Sequence, residues 1–97
     1  MRRAARVDDN QARIVACLRR AGVTVRVLSA VGQGFPDLLC KCPALNGALR
    51  LLEVKDGTKP PSARQLTAME KTFHAVWGTY VVNDEREALL ACGIEVA

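Results

Sequence analysis

Ala48-Leu49-Arg50-Leu51-Leu52-Glu53-Val54-Lys55 is the stretch on which the architecture turns. Its run Leu49 to Leu52 is apolar but for Arg50. A segment this short and this apolar reads as a central strand covered on both faces. It ends on charge. Glu53 and Lys55 stand two apart, so a strand projects them from one face. Charged groups at the end of a central strand need a reason to be there. Asp37, sixteen residues before Glu53, closes Phe35-Pro36-Asp37 and opens a second apolar run to Cys40 or Cys42. Its proline sits where no ladder hydrogen bond is lost.

A hairpin between these two runs sets Asp37 beside Glu53. Carboxylates that close repel each other unless a cation lies between them. Magnesium relieves the repulsion and keeps open positions for water. Asp37 and Glu53 are therefore the candidate metal ligands, with the backbone carbonyl of Val54 as a third. Lys55 can hold an attacking water or meet charge that develops on phosphoryl oxygens. The set suits hydrolysis of a phosphodiester. No histidine is placed to activate a serine or cysteine nucleophile.

Outward from this pair the elements follow. Residues 1–7 read as a loose basic arm, and 8–97 as one domain. Asp8, Asp9 or Asn10 can cap a helix to about Arg20, whose apolar positions Ile14, Val15, Cys17, Leu18 and Ala21 recur at helical spacing. Gly22 ends it. Val23, Val25 and Val27 alternate with Thr24, Arg26 and Leu28 as a strand. Val31-Gly32-Gln33-Gly34 is a turn, and Asn46-Gly47 links the next two strands. Ser62 is one candidate cap for a helix running to Val76. Thr67 competes, because Glu70 three residues on completes a capping box. Phe73, Val76 and Trp77 are expected to pack that helix on the sheet. Thr79 to Val82 is a strand, Asp84 caps a last helix, and Ile94 to Val96 is a short final strand. Strand, helix, strand over residues 48–82 implies a parallel crossover. The expected class is α/β, in the order α-β-β-β-α-β-α, with a mixed four-stranded sheet flanked by helices.

Basic residues number 14 against 10 acids, a net charge of +4. Ten of the 14 are arginines, whose planar fork suits phosphate. No 18-residue apolar run spans a membrane, and no secretory signal is legible at the start. The four cysteines, at 17, 40, 42 and 92, read as reduced. Cys40-x-Cys42 with His74 resembles half a zinc site, but alternate strand residues reach a metal poorly, and packing is the plainer account. His74 is expected on the solvated surface.

Val31-Gly32-Gln33-Gly34-Phe35-Pro36-Asp37-Leu38-Leu39, followed by Leu52-Glu53-Val54-Lys55-Asp56-Gly57 and Lys59-Pro60-Pro61-Ser62-Ala63-Arg64-Gln65-Leu66-Thr67, resembles the PD-(D/E)XK nuclease superfamily. The likeness is strongest to its small stand-alone VRR-NUC members and to related Holliday-junction resolvases, and it spans about residues 8–90. The resemblance implies a restriction-endonuclease-like core and DNA cleavage supported by Mg²⁺, with Mn²⁺ as a substitute. It implies double-stranded or branched DNA as partner, a homodimer, and a phage- or prophage-encoded protein in the host cytoplasm. It assigns Asp37, Glu53 and Lys55 to catalysis. Gln11 stands where such nucleases carry a glutamate, and brings no charge. Glu70 stands where a glutamine is common, either compensating for Gln11 or only completing the Thr67 cap. Arg13, Lys59, Ser62 and Arg64 are candidate contacts to the DNA backbone. The competing expectation is a catalytically weak nucleic-acid-binding or interaction module on the same scaffold, motivated by Gln11.

Overall fold

The computed structural model of the protein describes residues 9–96, so the expected basic arm and a cap at Asp8 lie outside the described residues. Within that span the elements are α1 (Asp9–Arg20), β1 (Thr24–Val27), β2 (Leu38–Cys42), β3 (Ala48–Val54), α2 (Ala68–Trp77), β4 (Tyr80–Val82) and α3 (Glu85–Ala91). The four strands form one mixed sheet in the order β1-β2-β3-β4. β1 and β2 are antiparallel, as are β2 and β3, while β3 and β4 run parallel through the α2 crossover. The expected α/β class and mixed sheet are thus present. β2 and β3 are joined by one 3₁₀ turn, Pro43–Leu45, and by Asn46 and Gly47 at φ 57° and 80°. These are two residues that adopt left-handed backbone at low cost.

Alternation decides where the core lies. Val25, Leu38, Cys40, Leu52, Val54 and Val82 share one sheet face and are buried. Ile14, Val15 and Leu18 of α1 close over them at helical spacing, joined by Ala88 of α3 and Cys92 beyond it. Asp84 caps α3 by accepting from the Glu87 N–H. After α3 the Ile94 N–H returns to the Leu89 carbonyl at 2.9 Å, and this closing turn takes the place of the expected strand over residues 94–96.

The opposite face corrects the reading of β3 as covered on both sides. Leu49 is 64% exposed, Leu51 is only half-buried, and α2, which lies over this face, has no buried residue. Of the three residues expected to pack α2 down, Phe73 is half-buried against Phe35, while Val76 and Trp77 are exposed at 72% and 64%. The cause is local. Residues 61–64 form a separate 3₁₀ turn, and the capping box of Thr67 and Glu70 starts α2 at Ala68, not at Ser62. The start of the helix is then held fast while its end stands away from the sheet.

Gly34 is what allows that hold. It adopts φ +79°, and a Cβ built on it would lie 2.7 Å from the backbone of Met69 in α2. Gly34→Ala combines left-handed strain with a backbone collision. It should cost about 2–3 kcal/mol, a fall of roughly 10 °C or more in Tm. Thermal denaturation within 2 °C of the parent would refute the close approach of this loop to α2.

Candidate active site

The antiparallel pairing of β2 with β3 continues one residue past Leu38. The Asp37 N–H donates to the Leu52 carbonyl at 3.0 Å, which seats Asp37 across from Glu53. Both Asp37 carboxylate oxygens are engaged. Oδ2 accepts from the Val54 N–H at 2.8 Å, and Oδ1 accepts from the Ser29 hydroxyl at 3.3 Å. Ser29 Oγ in turn receives Nε2 of Gln11 at 2.9 Å. Gln11 is 3% exposed and thus reaches Asp37 through Ser29.

Glu53 is 5% exposed. Lys55, two residues on, places Nζ 3.6 Å from Glu53 Oε2 and 3.0 Å from Glu70 Oε1. Their shared strand face is as the spacing predicts. The same Glu70 oxygen accepts the Thr67 N–H at 2.9 Å, while the Thr67 hydroxyl accepts the Glu70 N–H at 3.2 Å. Of the two expectations for Glu70, the capping box is present, and the same side chain also reaches Lys55. It thus brings a third carboxylate to the site. Asn10 pins the strand ends, its Nδ2 donating to the carbonyls of Lys55 at 2.6 Å and Asn83 at 3.3 Å.

Three carboxyl groups face one ammonium here, and the electrostatics follow. Burial pushes Glu53 up to about 9, reinforced by repulsion from Asp37 and Glu70. Burial also raises Asp37, against the lowering pull of the Val54 N–H and of hydrogen bonds from Glu53 and Ser29. Burial would lower Lys55, but its hydrogen bond and charge contact with Glu70 outweigh that and raise it. Burial would raise Glu70, yet the Thr67 N–H and Lys55 hold it below its ordinary value. The raised values of Glu53 and Asp37 reflect the cost of burying neighbouring carboxylates together.

Among the described residues no three His, Cys, Asp or Glu side chains are spaced to hold a metal ion as they stand. The chemistry of the donors nevertheless fits a hard divalent cation. All three are carboxylate oxygens, held in a semi-buried cleft with more negative charge than one lysine neutralises.

The remaining candidates are spread more widely. Arg13 is exposed on α1, its guanidinium 3.5 Å from Asn10 Oδ1. Lys59 and Ser62 are exposed on the loop between β3 and α2. Ser62 sits in the short 3₁₀ turn, so it does not open the long helix as expected. Arg64 is half-buried. Cys40 and Cys42 lie in the core near Cys92, and burial drives the Cys42 thiol up to about 11. His74 is a correction. It is half-buried, and it lines a small void with Glu53, Glu70 and Thr79. It stands one helical turn after Glu70 and so shares its inward face.

Sequence reasoning missed Ser29 and the bridging task of Asn10. Asn10 carried a signal, but as a helix cap. Ser29 follows β1 in no pattern that marks it. Comparison of the chain with protein-family models, with curated proteins and with solved structures finds no match. No described helix is long and apolar enough to cross a membrane.

Proposed function

We propose that this protein is a metal-dependent nuclease that hydrolyses DNA phosphodiester bonds, with branched or otherwise structured DNA among its substrates. The observation that carries the reading is the placement of Asp37 across from the buried Glu53, whose neighbour Lys55 reaches both Glu53 and Glu70. The motif resemblance of residues 31–39 and 52–67 to PD-(D/E)XK nucleases supports it, and so does the net charge of +4.

Asp37 and Glu53 would hold a magnesium or manganese ion, with the Val54 carbonyl as a further ligand. Such an ion supplies charge neutralisation at the phosphate and a more acidic water. The chain's own residues do the rest. The Val54 N–H and the Ser29 hydroxyl keep both Asp37 oxygens oriented. Gln11 orients Ser29. Lys55 offers its ammonium to negative charge developing on the phosphoryl oxygens. Glu70 restrains Lys55 until substrate competes for it. Asn10 fixes the backbone beneath Lys55 through its carbonyl. Arg13, Lys59, Ser62 and Arg64 would contact the DNA backbone. Pairing of two chains, in the host cytoplasm of a phage or prophage, belongs to the same reading.

Incubation with plasmid, linear duplex, single strand and four-way junction, in Mg²⁺, Mn²⁺ and EDTA, tests it. Cleavage with either metal and none in EDTA is the expected result. Salt-sensitive binding without cleavage of any substrate would favour the second reading, a binding module, for which the neutral Gln11 speaks.

A further inference from the structure

We propose that the apolar cleft between the C-terminal half of α2 and the open face of the sheet receives an unpaired nucleobase next to the scissile phosphate. The proposal rests on the nuclease reading and adds to it a base subsite, and with that a preference for unpaired strand.

The cleft has a volume of about 360 Å³ and is lined by Leu28, Phe35, Leu39, Leu51, Phe73 and Trp77. Its aromatic wall is continuous. The Phe35 and Phe73 ring centres lie 4.8 Å apart, and those of Phe73 and Trp77 5.8 Å apart at an interplanar angle of 26°. Trp77 is 64% exposed and Phe35 40%, so the wall meets solvent. Bases stack on such surfaces whatever their identity, because every base has a π-face.

Position ties the cleft to the carboxylates. Leu51 and Glu53 are alternate residues of β3 on one face, about 6.7 Å apart along the strand. Phe35 stands two residues before Asp37. A phosphate at Asp37 and Glu53 therefore leaves the neighbouring base within reach of the cleft.

Charge selects the occupant. Arg26 is paired with Leu39, and Lys41 with Leu49, so both cations stand on this same face beside the apolar floor. Both are exposed. They suit the sugar-phosphate chain of a strand whose base lies in the cleft. A second copy of this chain would match the floor but not its edge. Any contact between two copies through this face sets cationic edges bearing Arg26 and Lys41 against each other, and each chain carries +4.

Trp77 is the only tryptophan of the chain, so its fluorescence reports on the cleft directly. The full chain is titrated in EDTA with a single-stranded oligodeoxynucleotide, its blunt duplex, and the same strand carrying abasic sites. Binding of end-labelled strands is followed in parallel by anisotropy. Saturable quenching by the single strand is expected, with little from the duplex and little from the abasic strand even where anisotropy shows it bound. Trp77→Ala should weaken single-strand binding about tenfold, within the range known for base stacking, and leave duplex binding unchanged. Circular dichroism checks that this variant, altered at an exposed side chain, stays folded. Binding without quenching, no binding at all, or equal quenching by the abasic strand overturns the proposal. So does a dimer in sedimentation that Leu49→Glu converts to monomer, because a second copy then covers the face. The two readings fail separately. Cleavage in Mg²⁺ without quenching sinks the subsite alone, and quenching without cleavage sinks the nuclease alone.

Discussion

Asp37→Asn is expected to abolish metal-supported cleavage, and Lys55→Ala to slow it about a hundredfold, or about 3 kcal/mol of transition-state stabilisation. Both variants should fold. An asparagine at position 37 can still accept from the Val54 N–H through its oxygen and turn its amide towards Ser29, the two partners Asp37 has now. It cannot supply the charge that fixes a cation. Lys55→Ala removes the one ammonium among three carboxylates but leaves Asp37 and Glu53 in place. The metal should therefore still bind, and the rate should fall. Single-turnover cleavage of a labelled duplex or junction, with DNA affinity measured separately in EDTA, separates the effects. Affinity should hardly change, since most binding charge lies on the arginines. Parent-like cleavage by Lys55→Ala would discard the role given to the lysine even if the protein proved to be a nuclease.

That pair is legible in the sequence because two simple rules govern it. Strand alternation places Glu53 and Lys55 on one face, and a hairpin sets Asp37 opposite Glu53. The capping box at Thr67 is local chemistry at fixed spacing, though the sequence leaves Ser62 as a competing start for the helix. The misses concern what one element does to a distant one. Leu49 and Leu51 read as covered because an apolar run says nothing about whether a helix lies over it. The ten-residue α2 starts too late and is held too far towards its N-terminus to cover them. His74 looked solvated for the same reason, since its burial depends on the side of α2 that Glu70 and Lys55 turn inward. Ser29 was invisible because its place beside Asp37 follows from the path of a loop. The Ile94 to Val96 strand failed differently. A helix-closing bond from Ile94 to Leu89 took the N–H that a ladder would need.

The second large effect concerns stability and pH, and it follows from Glu53. Its folded-state value of about 9 lies far above the roughly 4.3 of an unfolded chain. Through that interval the folded protein keeps a proton that the unfolded chain has released. The contribution of Glu53 to stability is therefore full below about pH 4 and is lost progressively as pH rises towards 9. Glu70, held below its ordinary value, acts the other way only as pH falls below the usual carboxylate range. Asp37, also raised, acts in the same direction as Glu53. In EDTA the melting temperature should fall by about 10 °C or more between pH 5 and pH 9, which corresponds to about 2 kcal/mol for a domain of this size. Glu53→Gln keeps the shape without the titration, so it should flatten that slope and be more stable than the parent at pH 9. Magnesium should act as the mirror image. On the proposed reading it would compete with the proton for the same oxygens, so 10 mM should raise the parent's melting temperature at pH 8 to 9 and do little at pH 5. In Glu53→Gln the magnesium effect should be largely absent. Parallel pH slopes for parent and variant would show that the carboxyl cluster stores no such repulsion. A magnesium shift equal at pH 5 and pH 9 would place the ion elsewhere than between Asp37 and Glu53.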